Sequence, residues 1–112
     1  MLERALQAKI LAALRRLGGW WVKYHTEGRY ASAGVPDIIG CYRGRFIALE
    51  VKRPGRKPTP LQAATIAAIR KEGQGIAEVV TSVDEALSLV LTSERSERDA
   101  SEEGRTGARR RA

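Results

Sequence analysis

The sequence has very few of the side chains that build disulfide frameworks or zinc sites. It contains one cysteine, Cys41, and one histidine, His25, among 112 residues. A single cysteine forms no internal disulfide, and these two residues are too few for a zinc site rich in cysteine and histidine. Any metal bound by this chain is therefore expected to be a hard cation with oxygen ligands.

Long apolar segments are missing as well. No run approaches the roughly 18 residues that a membrane-spanning helix needs, and the residues after Met1 lack the basic and apolar regions of a signal peptide. The sequence therefore favours a cytoplasmic protein without a membrane partner. Only six residues are aromatic, and we expect four of them in the core or in a dimer interface rather than in a base-stacking surface: Trp20, Trp21, Tyr42 and Phe46.

Charge is present in excess of one sign. Lys and Arg number 20 against 13 Asp and Glu, which gives a formal net charge of +7 and a pI near 10.2. This balance favours a polyanionic partner such as nucleic acid, with acidic substrates and anionic membrane surfaces as open alternatives. Residues 93–112 contain no Val, Ile, Leu, Met or aromatic side chain, so we predict a disordered charged tail after one folded domain over residues 1–92. Most of the positive excess belongs to that domain.

Apolar spacing and turn residues predict an α/β domain with elements in the order α-β-β-β-α-β-α. The predicted segments, in chain order, are residues 3–17, 20–25, 36–42, 45–52, 60–72, 76–80 and a helix from 83 onward. Thr59 and Gln62 form a capping box at the start of the second helix, and Ser82 with Glu85 form another before the last helix. A strand-helix-strand crossover makes the last strand parallel to an earlier one, so we expect a mixed sheet flanked by helices.

The second and third strands are predicted to form a hairpin around a two-residue turn, Arg43-Gly44. In that register Asp37 lies directly opposite Glu50, with the two carboxylates roughly 5 Å apart on one face. Side chains alternate along a strand, so Lys52 shares this face. Two adjacent carboxylates repel each other unless a cation or a shared proton neutralises them, and a divalent metal is the simplest way to do so. The plainer alternative is a strand end where Glu50 and Lys52 are solvated and Asp37 serves a turn.

Three motifs in this order carry a resemblance: Gly34-Val35-Pro36-Asp37, Glu50-Val51-Lys52 and Thr59-Pro60-Leu61-Gln62. They resemble the PD-(D/E)XK nuclease superfamily, and more narrowly the small stand-alone VRR-NUC (virus-type replication-repair nuclease) domains of phages and bacteria, which are similar to Holliday junction resolvases. The resemblance covers roughly residues 1–91. It implies a restriction-endonuclease-like core with a mixed central sheet flanked by helices.

The resemblance also implies roles for single residues. In that family the matching aspartate and glutamate bind the metal and the lysine assists catalysis, which gives Asp37, Glu50 and Lys52. The glutamine beside the site corresponds to Gln62, although a capping box explains this residue equally well. Two further ligands are implied: the main-chain carbonyl of Val51 and the carboxylate of Glu3. As a first-turn acid, Glu3 is also explained by the helix dipole.

The predicted function is a Mg²⁺-dependent endonuclease that hydrolyses DNA phosphodiester bonds, with Mn²⁺ able to substitute. The resemblance implies branched or four-way-junction DNA as substrate, a homodimer as the working form and a bacterial or phage origin. Five basic residues flank the proposed site and fit contacts to DNA phosphates, with solvated loop charges as the plainer reading: Lys23, Arg29, Arg53, Arg56 and Lys57.

Two other functions compete with this one. A basic DNA-binding module of the same fold would lack turnover, but adjacent like charges beside phosphate would bring it no gain. A sequence-specific restriction enzyme is disfavoured because about 90 ordered residues leave little room to read bases. His25 could approach phosphate or water from the end of the first strand, although a lone strand histidine is more often structural.

Overall fold

The computed structural model describes residues 2–24 and 33–92. Its elements are α1 (Glu3–Leu17), β1 (Trp20–Lys23), β2 (Ile38–Tyr42), β3 (Arg45–Val51), α2 (Pro60–Lys71) and β4 (Ile76–Val80). Residues 83–92 form a further helix, α3, that reaches the last described residue. The predicted order α-β-β-β-α-β-α is confirmed. His25, Arg29 and the predicted tail at 93–112 lie outside the described residues.

The four described strands form one mixed sheet in the order β1-β2-β3-β4. β1 and β2 are antiparallel, β2 and β3 are antiparallel, and β3 and β4 are parallel. The expected parallel pairing of the last strand is therefore confirmed. No helix in residues 2–24 and 33–92 is both long and apolar enough to cross a membrane.

The β2–β3 hairpin has the two-residue turn that the sequence predicted. Arg43 and Gly44 both adopt positive φ, 51° and 81°, as a type I′ hairpin turn requires. The strands then pair from Tyr42 opposite Arg45 to Ile38 opposite Leu49. This confirmed register fixes which side chains of β2 and β3 share a face, and so it decides the composition of the site described below.

α2 begins at the predicted capping box. The Thr59 hydroxyl accepts the backbone N–H of Gln62 at 3.1 Å, and Oε1 of Gln62 accepts the Thr59 N–H at 2.8 Å. Pro60 occupies the first helical position, where its missing N–H leaves no donor unsatisfied. Local sequence alone therefore fixes where α2 starts.

Helices cover both faces of the sheet, and the hydrophobic core is larger on one face than on the other. On the α1 face, the β3 residues Ile47, Leu49 and Val51 pack in the main core, together with Leu6 and Ile10 of α1. On the opposite, α2 face, Ala48 packs with Ile66 of α2 and Ala77 of β4 in a smaller cluster. α3 joins the main core through Ala86 and Val90.

The four aromatic residues singled out in the sequence divide between core and surface. Trp21 and Tyr42 belong to the main core, as predicted for core aromatics. Trp20 is 61% exposed and Phe46 is 46% exposed. Both exposed rings lie on the α2 face, because Phe46 stands two residues before Ala48 and Cys41 pairs with Phe46 on one side and with Trp20 on the other.

Candidate metal and catalytic site

Asp37, Glu50 and Lys52 come together on the α2 face, where β2 begins and β3 ends. The hairpin register places Asp37 opposite Glu50, directly beyond the pair formed by Ile38 and Leu49. Nζ of Lys52 lies 3.6 Å from Oε2 of Glu50, and the side chains of the two residues are 14% and 2% exposed. The structure thus brings together the three residues that the hairpin spacing predicted.

A backbone hydrogen bond fixes the position of Asp37. Its Oδ2 accepts the N–H of Val51 at 2.8 Å, and its own carbonyl accepts the N–H of Tyr24 at 2.7 Å. The register would otherwise place Val51 opposite Pro36, which is fully buried and has no N–H to donate. The ladder between β2 and β3 ends at the pair of Ile38 and Leu49, and beyond it the Asp37 carboxylate accepts the N–H of Val51.

The missing N–H of Pro36 also affects the Val51 carbonyl. In an extended strand the N–H and C=O of one residue project to the same side. The Val51 carbonyl therefore faces the Asp37 side of β3, while the next N–H, that of Lys52, donates to Val80 of β4 at 3.0 Å. Pro36 has no donor for that carbonyl, which is the position that a main-chain metal ligand would need.

Glu50 is a buried carboxylate in an unfavourable setting. Burial, and to a lesser extent the nearby carboxylate of Asp37, raise its pKa from the ordinary 4.5 to about 8. Lys52 lowers the pKa but does not compensate. Oε1 of Glu50 is buried and accepts no hydrogen bond from the residues that the structure describes. An unpaired buried carboxylate oxygen costs free energy unless a proton or a cation satisfies it.

These donors fit a small divalent cation with oxygen ligands. Carboxylates are the ligands that Mg²⁺ and Mn²⁺ prefer, and here two lie side by side, one with an oxygen that no described residue satisfies. A soft metal would need thiolate or imidazole ligands. The described residues 2–24 and 33–92 contain no group of three or more His, Cys, Asp or Glu side chains arranged to hold a metal. Within these described residues, the donors next to one another at this place are the carboxylates of Asp37 and Glu50.

Gly34 explains how the segment before Asp37 reaches the site. It has φ of 86°, and a Cβ built on it would lie 2.8 Å from Cγ of Leu61 and 3.0 Å from Oγ1 of Thr65. Only glycine combines this conformation with so close an approach to α2. The first turns of α2 are thereby packed directly against the segment that leads to Asp37.

Two predicted site residues stand apart from this cluster. Glu3 lies in the first turn of α1, one turn before Leu6, and α1 packs on the opposite face of the sheet. Within the described residues it forms no metal-binding group with Asp37 and Glu50. The side-chain oxygen of Gln62 is engaged by the Thr59 N–H, as its capping role requires. The roles that the resemblance implies for both residues stay predictions.

The predicted basic residues lie at the same end of the sheet. Lys23 is the last residue of β1 and is half-buried. Arg53, Arg56 and Lys57 are exposed in the loop after β3, where the N–H of Arg56 donates to the Arg53 carbonyl at 3.0 Å. Pro54 and Gly55, the latter with φ of 85°, occupy the two central positions of this turn. Arg53 and Arg56 are thus held close together next to Lys52.

Sequence reasoning did not find two features of the site. It assigned Val51 a role as a metal ligand through its carbonyl and overlooked its N–H, which holds Asp37. The proline at the end of the predicted ladder was the available signal. It also gave no role to Lys9, which lines a cavity with Arg53 and Thr81 next to the site. No local pattern brings α1 and the end of β4 together.

No family model matches the chain. Over 61 residues it is 36% identical to a protein named "Putative nuclease p44" from Acyrthosiphon pisum secondary endosymbiont phage 1. The match covers 54% of this chain and 62% of that protein, so the chain spans less than two thirds of the length of this curated relative.

Two solved structures share the fold. One, described as "VRR_NUC domain", has 27% sequence identity and a TM-score of 0.63, and the match covers 79% of this chain and 92% of that one. The other, "VRR_NUC domain protein", has 22% identity and a TM-score of 0.66, with 82% and 87% covered, and it shows the fold alone. Together with the motif residues and the order of elements, these similarities confirm the resemblance of the chain to VRR-NUC domains.

Proposed function

We propose that the protein is a divalent-metal-dependent endonuclease that hydrolyses phosphodiester bonds in DNA. One observation carries the proposal: Asp37, Glu50 and Lys52 meet on one face, with a buried oxygen of Glu50 that no described residue satisfies. A structural cluster would be expected to pair each of its buried oxygens. The similarity to a protein named as a nuclease supports the same reading.

The ligands proposed for the metal are the carboxylates of Asp37 and Glu50 and the carbonyl of Val51, with Glu3 as a further candidate from α1. When bound, Mg²⁺ or Mn²⁺ supplies Lewis acidity toward a phosphate oxygen and makes coordinated water more nucleophilic. The N–H of Val51 holds the Asp37 carboxylate in place before any ligand arrives. This preorganisation reduces the cost of assembling the site.

Lys52 provides the positive charge at the edge of the site. Its side chain is 14% exposed and its ammonium lies 3.6 Å from Glu50, so it is held near the carboxylates and still reached by solvent. From this position it would stabilise the negative charge that develops on phosphate oxygens, or orient the attacking water. The exposed cations Arg53, Arg56 and Lys57 would hold the DNA backbone alongside.

We further propose branched or four-way-junction DNA as the preferred substrate, a homodimer as the working form and the cytoplasm as the location. The family resemblance supports these finer assignments. A two-fold dimer carries two identical sites, which suits paired incision of a junction. The candidate contact surface is the cross-strand row formed by Trp20, Cys41 and Phe46, because all three are exposed and adjacent.

The test is cleavage of labelled DNA by the purified full chain. Linear duplex, flap and four-way-junction substrates are each incubated with Mg²⁺, Mn²⁺ or EDTA, beside a Glu50→Gln variant. We expect cutting only with metal and only by the wild-type protein, and most rapidly on the junction. Equal cutting of all three substrates would remove the junction preference alone. Salt-sensitive DNA binding without cutting of any substrate would instead favour a non-catalytic binding module of the same fold.

The dimer is tested separately by analytical ultracentrifugation of the wild-type protein and a Trp20→Ser variant. We expect a two-chain species for the wild type and weaker association for the variant, because the exposed indole is lost from the row. A monomer at all concentrations would contradict the homodimer without affecting the nuclease assignment.

A further inference from the structure

A cavity opens at the same end of the sheet as the site, but on the α1 face. It has a volume of about 410 Å³, within the range of small-molecule pockets. Leu6, Pro54 and Val83 supply apolar walls, and Thr81 and Ser82 add hydroxyl groups. Lys9 and Arg53 complete the lining, and both are exposed.

This cavity begins one residue beyond the proposed catalytic site. Arg53 directly follows Lys52, and Thr81 directly follows Val80, whose carbonyl accepts the Lys52 N–H. Successive side chains of an extended chain point to opposite faces. Lys52 therefore serves the site on the α2 face, whereas Arg53 lines the cavity on the α1 face. A DNA strand that crosses the end of β3 would pass from one to the other.

We infer that this cavity binds one unpaired nucleotide of the DNA substrate, with the base inside and its flanking phosphates on Lys9 and Arg53. The inference rests on the proposed nuclease function and adds to it the substrate feature that the protein selects. The charge of the two cations complements phosphate, whereas an apolar peptide would leave both cations without a partner. A nucleotide extruded from a helix matches a cavity with apolar walls and a cationic rim.

The polar groups of the cavity are suited to the edge of a base. The Ser82 hydroxyl oxygen accepts the N–H of Glu85 at 3.0 Å, which leaves its hydrogen free to donate. The Thr81 hydroxyl donates to Glu85 at 3.0 Å, which leaves its oxygen free to accept. The cavity thus offers one donor and one acceptor beside apolar walls, and it would favour nucleotides that base pairing does not hold.

Binding measured in EDTA tests the nucleotide site independently of metal-dependent cleavage. Three labelled DNAs are compared: a perfect duplex, the same duplex with one unpaired thymidine, and the same duplex with an abasic nucleotide at that position. We expect the full chain to bind the unpaired thymidine about tenfold more tightly than the abasic form, because only the base enters the apolar cavity. Cleavage in Mg²⁺ is assayed in parallel.

Two variants test the assignment to this cavity. Val83→Phe fills the space and is expected to abolish the difference between thymidine and abasic DNA, provided that its unfolding temperature shows it to be folded. Lys9→Glu is expected to weaken binding of the unpaired substrate more than the matched Lys71→Glu, which places the same charge change at the exposed C-terminal turn of α2. A 4-thiothymine at the unpaired position is expected to crosslink to peptides that contain Leu6 or Thr81.

The outcomes distinguish the nucleotide site from the proposed nuclease function. Equal binding of thymidine and abasic DNA, a difference retained in folded Val83→Phe, or crosslinks only outside the cavity would each overturn the nucleotide site and leave the nuclease assignment untouched. Absence of both DNA binding and cleavage would overturn the proposed function, and the nucleotide site with it.

Discussion

The backbone N–H of Val51 donates to Oδ2 of Asp37 at 2.8 Å, so the strand that carries Glu50 also holds the carboxylate that faces it. The bond lies directly beyond the last pair of the ladder between β2 and β3, where Pro36 has no N–H to continue it. Two carboxyl groups are thereby kept adjacent by backbone geometry. Burial makes this arrangement costly, and a cation bound as proposed would reduce that cost.

Replacement of Asp37 separates its chemical role from its structural one. Asp37→Asn keeps an oxygen that can accept the Val51 N–H but loses the charge, so we expect cleavage to fall by at least about a hundredfold with little change in stability. Asp37→Ala also leaves the Val51 N–H unpaired, which costs about 1–3 kcal/mol more. Cleavage rates and urea unfolding of both variants provide the measurement. Wild-type cleavage by Asp37→Asn would contradict a metal-binding role.

The buried Glu50 predicts that stability falls as pH rises in the absence of metal. Its pKa is raised from 4.5 to about 8, so the folded state holds the proton more tightly than the unfolded state. The stabilisation from this proton is fully present below about pH 4.5 and is lost progressively as the pH rises to about 8. Urea unfolding in EDTA at several pH values measures it.

Glu50→Gln tests whether Glu50 causes this decrease of stability with rising pH. The amide does not titrate, so the variant is expected to lose the Glu50 part of the pH dependence and to exceed the wild-type stability at pH 8. Glu72→Gln, at an exposed position after α2, is expected to keep the wild-type slope. A Glu50→Gln variant with an unchanged slope would show that other groups cause it.

Divalent metal is expected to stabilise the folded protein at pH 8. Binding to the folded state alone at a free Mg²⁺ concentration of 100 times Kd raises the free energy of unfolding by about 2.7 kcal/mol. Differential scanning fluorimetry with and without Mg²⁺ detects this as a higher Tm. Asp37→Asn is expected to lose most of the increase. An equal increase in wild type and variant would place the metal elsewhere.

The basic turn after β3 predicts a salt-dependent contribution to DNA affinity. Arg56 is exposed in a turn closed by its N–H to the Arg53 carbonyl. Arg56→Ala is therefore expected to reduce the slope of log K against log salt concentration by about one. Fluorescence anisotropy at several salt concentrations gives the slope. Arg16→Ala, in the last turn of α1, serves as the control and is expected to leave it unchanged.

Gly40 is expected to be essential to the pairing of β1 with β2. A Cβ at this position would lie 2.1 Å from the Trp20 carbonyl oxygen and 2.6 Å from the Trp21 ring. Because the closest atom belongs to the backbone, only a shift of the backbone could relieve this clash. Gly40→Ala should cost about 3 kcal/mol or more. Gly55→Ala, where φ is 85° and no atom of the described residues lies within 4 Å of the added Cβ, should cost only about 1–2 kcal/mol. Similar unfolding midpoints for both would contradict the close packing.

Short-range signals in the sequence determined most of the helices and strands, and also the face that Asp37, Glu50 and Lys52 share. The Thr59–Gln62 capping box fixed the start of α2, and the Arg43-Gly44 turn fixed the hairpin register. Because side chains alternate along strands, that register was enough to bring Asp37, Glu50 and Lys52 to one face. These relations involve residues close in sequence, where local geometry leaves few alternatives.

Only the tertiary structure decided which helix covers which face and what burial does to the site. The placement of α1 on the face opposite Asp37 and Glu50 depends on the packing of Leu6 and Ile10 against β3 and α3. The burial that raises the pKa of Glu50 depends on the same assembly. So does the cavity that joins Lys9 to Thr81. Such features arise from the sum of many weak contacts between distant segments, and no local pattern in the sequence records that sum.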